Sequence, residues 1–333
     1  QTWWITVHVP PDAQPGVYQS TVTVTAMNTG GRDGKVTRIP LRLRVRSFGL
    51  PTVSRYQIVG PASGDMEKWK ITGVSSYGGT ATPKVTLDKQ NNLQLDFTEF
   101  DAKVESLLAQ GKRTFSLGLC YTGANNFAAY SFDWRIPVAG STGPPRRIWV
   151  NPVYQNAPAA TRPDSKQSRK WFMQYVKGIY DHLETKGWTR YWWVYAADEP
   201  HDKKWQPLLR HYFGVLRECA PKLRIMITKY PTAEYGPNLD ISCVMINHLR
   251  KDSFQRANAM KQQLWCYSCG HLNNPSLTLN DSPVDVRTWF WLQEKWQVGR
   301  VLLWHVSVYG HKYDHPGADG RGDGQVFYRR VRP

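Results

Sequence analysis

Apolar and polar residues alternate with a period of two through the first part of the chain. "WITVHVP" (4–10), "VYQSTVTVTA" (17–26) and "VTRIPLRLRVRS" (36–47) carry that alternation, separated by turn-forming runs rich in Pro, Gly, Asn and Asp. The pattern predicts antiparallel strands, too few to close a sandwich alone, so residues 1–47 read as a partial β-sandwich domain.

The period changes from residue 48. Short apolar runs now alternate with segments of helical spacing: "RYQIVG" (55–60), "KITGVS" (70–75), "RTFSLGLCY" (113–121), "RYWWVYAADEP" (190–200), "LRIMIT" (223–228), "DISCVMIN" (240–247), "QLWCYS" (263–268) and "RVLLWHV" (300–306). Helices are predicted over 97–112, 165–187, 203–221, 250–261 and 282–299. In the first of these, Phe100, Val104, Leu107 and Leu108 share a face and Gly111 ends it. Eight strands with helices between most of them predict a (β/α)8 TIM-like barrel over 48–333. Two places strain that pattern. Only "MEKW" (66–69) stands where the first barrel helix belongs, so one helix reads as missing, and 119–164 reads as a long functional loop decorating the barrel.

At 333 residues the chain holds one large domain or two smaller ones. Fifteen Trp and seventeen Tyr suit a flat ligand such as a sugar, because a ring offers contact area with little rotamer entropy to lose. The net charge of +17 points to anionic surroundings, an anionic surface or glycan among them. The basic residues are scattered, however, and Arg42, Arg44 and Arg46 alternate with Leu43 and Val45 as on a half-exposed strand, with no nucleic-acid-binding pattern beside them. Nucleic acid is therefore not an expected partner. No run of about 18 apolar residues exists to span a membrane. No signal peptide is visible, and alternation already under way at residue 1 reads as a piece of a longer chain.

Cys120, Cys219, Cys243, Cys266 and Cys269 are odd in number and lack framework spacing. Cys266 and Cys269 form a Cys-x-x-Cys pair, but no second pair completes a zinc site, so buried thiols with at most one disulfide are expected. His311 and His315 fall in a loop, where helical spacing means nothing, and read as sugar-hydroxyl contacts or solvated groups, while "DGRGDG" (319–324) lacks the downstream glutamate of a calcium loop and reads as a plain turn. Phosphate-binding, dinucleotide and Ser-triad motifs are missing, and neither cofactor nor metal is expected.

In a barrel the ligand meets the residues just past the strand ends. Here these are Tyr121, then Asp198 and Glu199 preceded by Tyr195, then Lys229 and Tyr230, Asn247 and His248, Trp265 and Tyr267, and Trp304 and His305. Acids ringed by Trp, Tyr, Asn and His are the components of a sugar site. One difficulty is geometric. Consecutive strand residues face opposite sides, so Asp198 and Glu199 can share a pocket only if the strand ends there, which Pro200 favours.

The segments "PPDAQPGVYQSTVTV", "FTEFDAKVESLLAQGK", "WWVYAADEP", "LWCYSCG", "DSPVDVRTWFWLQEKWQVGRVLLWHVSVY" and "GRGDGQVFY", in that order, resemble the catalytic region of glycoside hydrolase family 123, which comprises β-N-acetylgalactosaminidases. The resemblance implies retaining, substrate-assisted cleavage of a terminal β-linked N-acetylhexosamine, N-acetylgalactosamine above all, from a glycan or glycoconjugate. It implies Glu199 as general acid/base and Asp198 as the group orienting the 2-acetamido group, with Tyr195, Tyr230, Asn247, Trp265, Tyr267 and Trp304 lining the subsite. That substrate class favours a secreted or cell-envelope protein. Two alternatives stay open: a catalytically silent relative serving as a structural or carbohydrate-binding protein, and a barrel glycosidase with a separate nucleophile, a second carboxylate about 5 Å from the acid.

Overall fold

The two period-two segments 17–26 and 36–47 do pair. In the computed structural model, β1 (Gly16–Thr25) and β2 (Val36–Val45) run antiparallel, with Val22 opposite Ile39 and Tyr18 opposite Leu43. Residues 5 and 7–10, expected as a strand, carry none. The described residues are 5, 7–25, 36–49, 56–60, 71–74, 79–122, 132–141, 143, 146–150, 165–200, 203, 206–269 and 283–304. The chain divides into two compact units, residues 1–52 and 53–333.

In the second unit the strands and helices run in the order β3 (Gln57–Gly60), β4 (Gly73–Val74), β5 (Lys84–Leu87), β6 (Leu93–Asp96), α1 (Thr98–Ala109), β7 (Phe115–Thr122), β8 (Phe132–Ile136), β9 (Arg146–Val150), α2 (Ser165–Thr185), β10 (Trp192–Asp198), α3 (Gln206–Cys219), β11 (Arg224–Ile227), β12 (Ile241–Met245), α4 (Ser253–Ala259), β13 (Gln263–Tyr267), α5 (Pro283–Lys295) and β14 (Arg300–Leu302). Eight of these strands close a barrel in the order β10-β11-β12-β13-β14-β3-β4-β7, and every neighbouring pair is parallel. The fold is thus the (β/α)8 barrel that the alternating periods predict.

Strands covered by helices outside and filled by side chains inside are apolar on both faces. This accounts for "YWWVYAA". Trp192, Val194 and Ala196 join the outer apolar layer, where Trp192 stacks on Phe100 of α1 with ring centroids 5.4 Å apart. Trp193 and Tyr195 instead point into the barrel with Val59, Met226, Ile241, Cys243, Trp265, Tyr267 and Leu302. There Trp193 and Trp265 meet edge to face at 5.1 Å. α3 is tied to β7 by the Tyr212 hydroxyl, which donates to the Leu119 carbonyl at 2.6 Å.

Several connections differ from the sequence expectation. The β5–β6 hairpin precedes α1, its turn made by Asn91 in the left-handed region (φ 65°) and by Asp88, whose carboxylate accepts the Asn92 amide at 2.8 Å. The long segment 119–164 contains the β8–β9 hairpin, not loop alone. Between β11 and β12 the only helical residues are a 3-10 turn, Ala233–Tyr235. The "MEKW" segment lies outside the described residues. Among those residues no helix is long and apolar enough to cross a membrane.

Closure of the barrel passes through β4 (Gly73–Val74), whose backbone approaches the residue before β7 closely. A Cβ on Gly73 would lie 2.7 Å from the Thr114 Cβ and 2.9 Å from the Thr114 carbonyl oxygen. The prediction is that Gly73→Ala lowers the unfolding free energy by about 1–3 kcal/mol, the usual range for overpacking. Chemical denaturation measures it, and unchanged stability would show that the contact is looser than described.

Candidate active site

A regular strand would turn Asp198 away from the side on which Tyr195 lies, because their positions differ by three, an odd number. β10 is not regular. Its register shifts between Tyr195 and Ala197 against both neighbours, β7 and β11. Against β11 the extra residue lies in β10, whereas against β7 it lies in β7; Ala196 and Ala197 both belong to the outer layer and Asp198 returns to the inner side. The Tyr195 hydroxyl then donates to Asp198 Oδ1 at 2.7 Å. Alanines suit this place because two successive side chains pack outward in a space that normally takes one.

Glu199 is brought to the same mouth by a second irregularity. Its φ is +43°, in the left-handed region, where a residue with a Cβ costs roughly 1–3 kcal/mol. The turn is held from the neighbouring strand. The Glu199 N–H donates to Thr228 Oγ1 at 2.5 Å, while the Thr228 hydroxyl donates to Asp198 Oδ1 at 2.9 Å. Across the mouth, the Tyr267 hydroxyl at the end of β13 donates to Glu199 Oε1. The Pro200 carbonyl that follows accepts from Tyr235 Oη at 2.9 Å and from Lys229 Nζ at 3.2 Å. Both acids remain half-buried, in contrast to the fully enclosed strand before them.

Two hydroxyls converging on one oxygen of Asp198 suit a charged acceptor. The arrangement at Glu199, a carboxylate that faces a phenol and stays open to solvent, is one from which a proton can be exchanged with a ligand. Tyr267 itself is held neutral. Burial first, then the hydrogen bond to Glu199 and its charge, push the phenol far above its ordinary range. The Cys243 thiol is likewise pushed up, by burial first and then by Cys266 and Asp198.

The remaining residues expected at the site are placed differently. Trp265 is fully buried inside the barrel, two residues before Tyr267, with no hydrogen-bond partner for its indole N–H among the described residues. The Arg300 guanidinium lies 4.8 Å from its ring centroid. Arg300 opens β14 and donates to Gln57 at the start of β3, so this end of the ring belongs to the barrel floor and offers no surface at the mouth. Tyr230 is half-buried, its hydroxyl donating to Asp252 at 3.1 Å, with Arg250 and Arg256 at 5.5 and 5.4 Å from its ring. Asn247 is exposed in the short 3-10 turn after β12, and Trp304 is half-buried two residues past β14. Cys219, Cys243 and Cys266 are buried free thiols, and Cys269 is half-buried. Among the described residues no group of three or more His, Cys, Asp or Glu could hold a metal ion. His305, His311, His315 and 319–324 lie outside those residues. Thr228 escaped the sequence reading, although a polar residue two positions after inward-facing Met226 carries the phase of an inner-face group.

Comparison with known proteins identifies the family. The family described as glycoside hydrolase 123, catalytic domain, matches residues 123–328, which include Asp198, Glu199, Thr228 and Tyr267. No curated protein matches the sequence. Among solved structures, the chain resembles a family 123 glycoside hydrolase from Clostridium perfringens, studied for glycolipid glycan hydrolysis, with a TM-score of 0.63 and 14% identity over 97% of this chain. At that identity the likeness concerns the fold, and the chain covers 62% of that protein's length.

The Tyr267 environment has a measurable sign. A phenol whose folded pKa is raised contributes stability that is complete below its unfolded value of about 10 and declines above it. The unfolding free energy of wild type relative to Tyr267→Phe should be constant up to about pH 9, then fall by up to about 1.4 kcal/mol per pH unit beyond pH 10. Denaturant titrations from pH 8 to about 11 test this. A constant difference throughout would mean that Tyr267 ionises freely in the native protein.

Proposed function

Since the chain belongs to glycoside hydrolase family 123, we propose that it is a retaining glycosidase that removes a terminal β-linked N-acetylhexosamine, N-acetylgalactosamine first among them, by substrate-assisted catalysis at Asp198 and Glu199. The observation that carries the reading is the convergence of both carboxylates on the strand-end mouth, by the bulge at Ala196–Ala197 and the left-handed turn at Glu199.

In this reading protonated Glu199 gives its proton to the glycosidic oxygen as the bond from that oxygen to the anomeric carbon breaks. The 2-acetamido carbonyl oxygen of the substrate forms the new bond to the anomeric carbon from the opposite face, giving an oxazolinium ion. Asp198 accepts the acetamido N–H, orients the carbonyl for attack and stabilises the positive charge. Water then enters from the face that the leaving group vacated, loses a proton to the Glu199 carboxylate and reopens the acetamide. Two inversions leave the anomeric configuration retained. Tyr195 and Tyr267 support the acids, and Tyr230, Asn247 and Trp304 are the candidates for sugar contact at the rim. The glycolipid glycan of the Clostridium perfringens relative is the first natural substrate class to try. The net charge of +17 suits a substrate presented on an anionic glycan or surface.

Glu199→Gln should lower kcat on an aryl β-N-acetylgalactosaminide by about 10²–10⁴-fold, the usual worth of one general acid/base. The deficit should shrink as the leaving group becomes more acidic and needs less protonation. Proton NMR of the first-formed product should show the β anomer. Full activity in Glu199→Gln would overturn the assignment. A wild-type protein that binds the sugar and turns none over would instead favour the silent carbohydrate-binding alternative.

A further inference from the structure

We infer that Thr228 is a positioning residue that sets the mutual geometry of the two carboxylates through a single hydroxyl; as a statement about catalysis, this rests on the glycosidase reading of Asp198 and Glu199. The direction of the hydrogen bonds follows from their chemistry. A backbone N–H can only donate, so Thr228 Oγ1 must accept from Glu199, at 2.5 Å. The hydroxyl proton is then left for Asp198 Oδ1, at 2.9 Å, where a carboxylate oxygen accepts. One oxygen atom thereby fixes the backbone of one acid and the side chain of the other. The two tyrosines each hold one acid: Tyr195 reaches Asp198, and Tyr267 reaches Glu199.

Thr228 is suited to this by its own placement. It follows β11 directly, its amide donates to the Ala197 carbonyl at 3.2 Å, and it is 3% exposed. The main chain anchors it beside the bulge whatever its side chain, so removing the hydroxyl removes the link and little else. A buried threonine satisfied by its own strand would be ordinary. Here both partners of the hydroxyl lie on the strand end that carries the acids, at a residue with φ +43° that needs an external hold.

Thr228→Val keeps the shape and deletes both bonds, whereas Thr228→Ser keeps them. With the aryl glycoside that wild type cleaves best, Thr228→Val should lose about 10²-fold in kcat, the scale of a misplaced catalytic group, with KM changed less than about threefold. Thr228→Ser should recover most of that loss. A crystal structure of Thr228→Val should show Glu199 out of the left-handed region and its carboxylate parted from Tyr267. If Thr228→Val does not fold, Thr228→Ala provides the same comparison. A fall in unfolding midpoint with kcat intact, a serine variant as poor as valine, or an unmoved pair of acids in the crystal would each overturn the inference. If wild type cleaves no glycoside, the glycosidase reading fails separately, and the crystallographic comparison still decides whether Thr228 holds the pair.

Discussion

Side chains on a strand alternate between its two faces, and two adjacent residues therefore cannot both serve the same pocket while the strand remains regular. The candidate site of this barrel depends on escaping that constraint twice within a few residues. A bulge before Asp198 returns its carboxylate to the inner phase, and a left-handed backbone at Glu199 keeps the next carboxylate from swinging outward. Neither irregularity is free. The bulge gives up regular ladder pairing between Tyr195 and Ala197, and the left-handed turn opposes the preference of every residue with a Cβ. Both are tolerable because β10 lies between two paired neighbours and because the hydroxyls of Thr228, just after β11, and Tyr267, at the end of β13, reach across to it.

The barrel interior divides accordingly. Its middle and floor are filled by large side chains, Trp193 against Trp265, with Arg300 laid over the Trp265 ring and tied to Gln57. The guanidinium is lowered from its usual range by burial first and by Arg224 second. The mouth is lined instead by hydroxyls of Tyr195, Thr228 and Tyr267, each directed at an acid. A rigid aromatic base beneath a hydroxyl-lined rim lets small side chains hold charged groups in place, because the layer below cannot yield.

Much of the scaffold was legible along the chain, for a physical reason. Strands buried on both faces are apolar throughout, so "YWWVYAA" and "LRIMIT" mark barrel staves without ambiguity, and the helical spacing of Phe100, Val104, Leu107 and Leu108 marks a covering helix. Hairpins made of short half-buried strands, such as β5–β6, carry too few alternations to stand out from a loop. The acid pair was also legible, as charge following an apolar run. Its supports were not. A bulge shifts phase by one residue without any marker other than two alanines, so Tyr195 and Tyr267 read as sugar contacts when they face the acids, and Thr228 was passed over for the more conspicuous Lys229 and Tyr230. Trp265 illustrates the converse. An aromatic near a strand end suggests a stacking platform, yet two residues of rise, roughly 7 Å, are enough to place it in the packed interior.

The spacing between Tyr195 and Asp198 is itself a functional element, one of count and not of identity. Shortening the alanine pair by a single residue would give an even interval, in which a regular strand keeps the acid beside Tyr195 with no bulge at all; the odd interval present here does so only because the ladder is broken. Homologous chains compared by residue type alone would look alike whether the interval is even and the strand regular or odd and the strand bulged. Reading where a relative's acid points therefore requires the length of this interval together with the register of the ladder, much as a reading frame is judged by its number of letters.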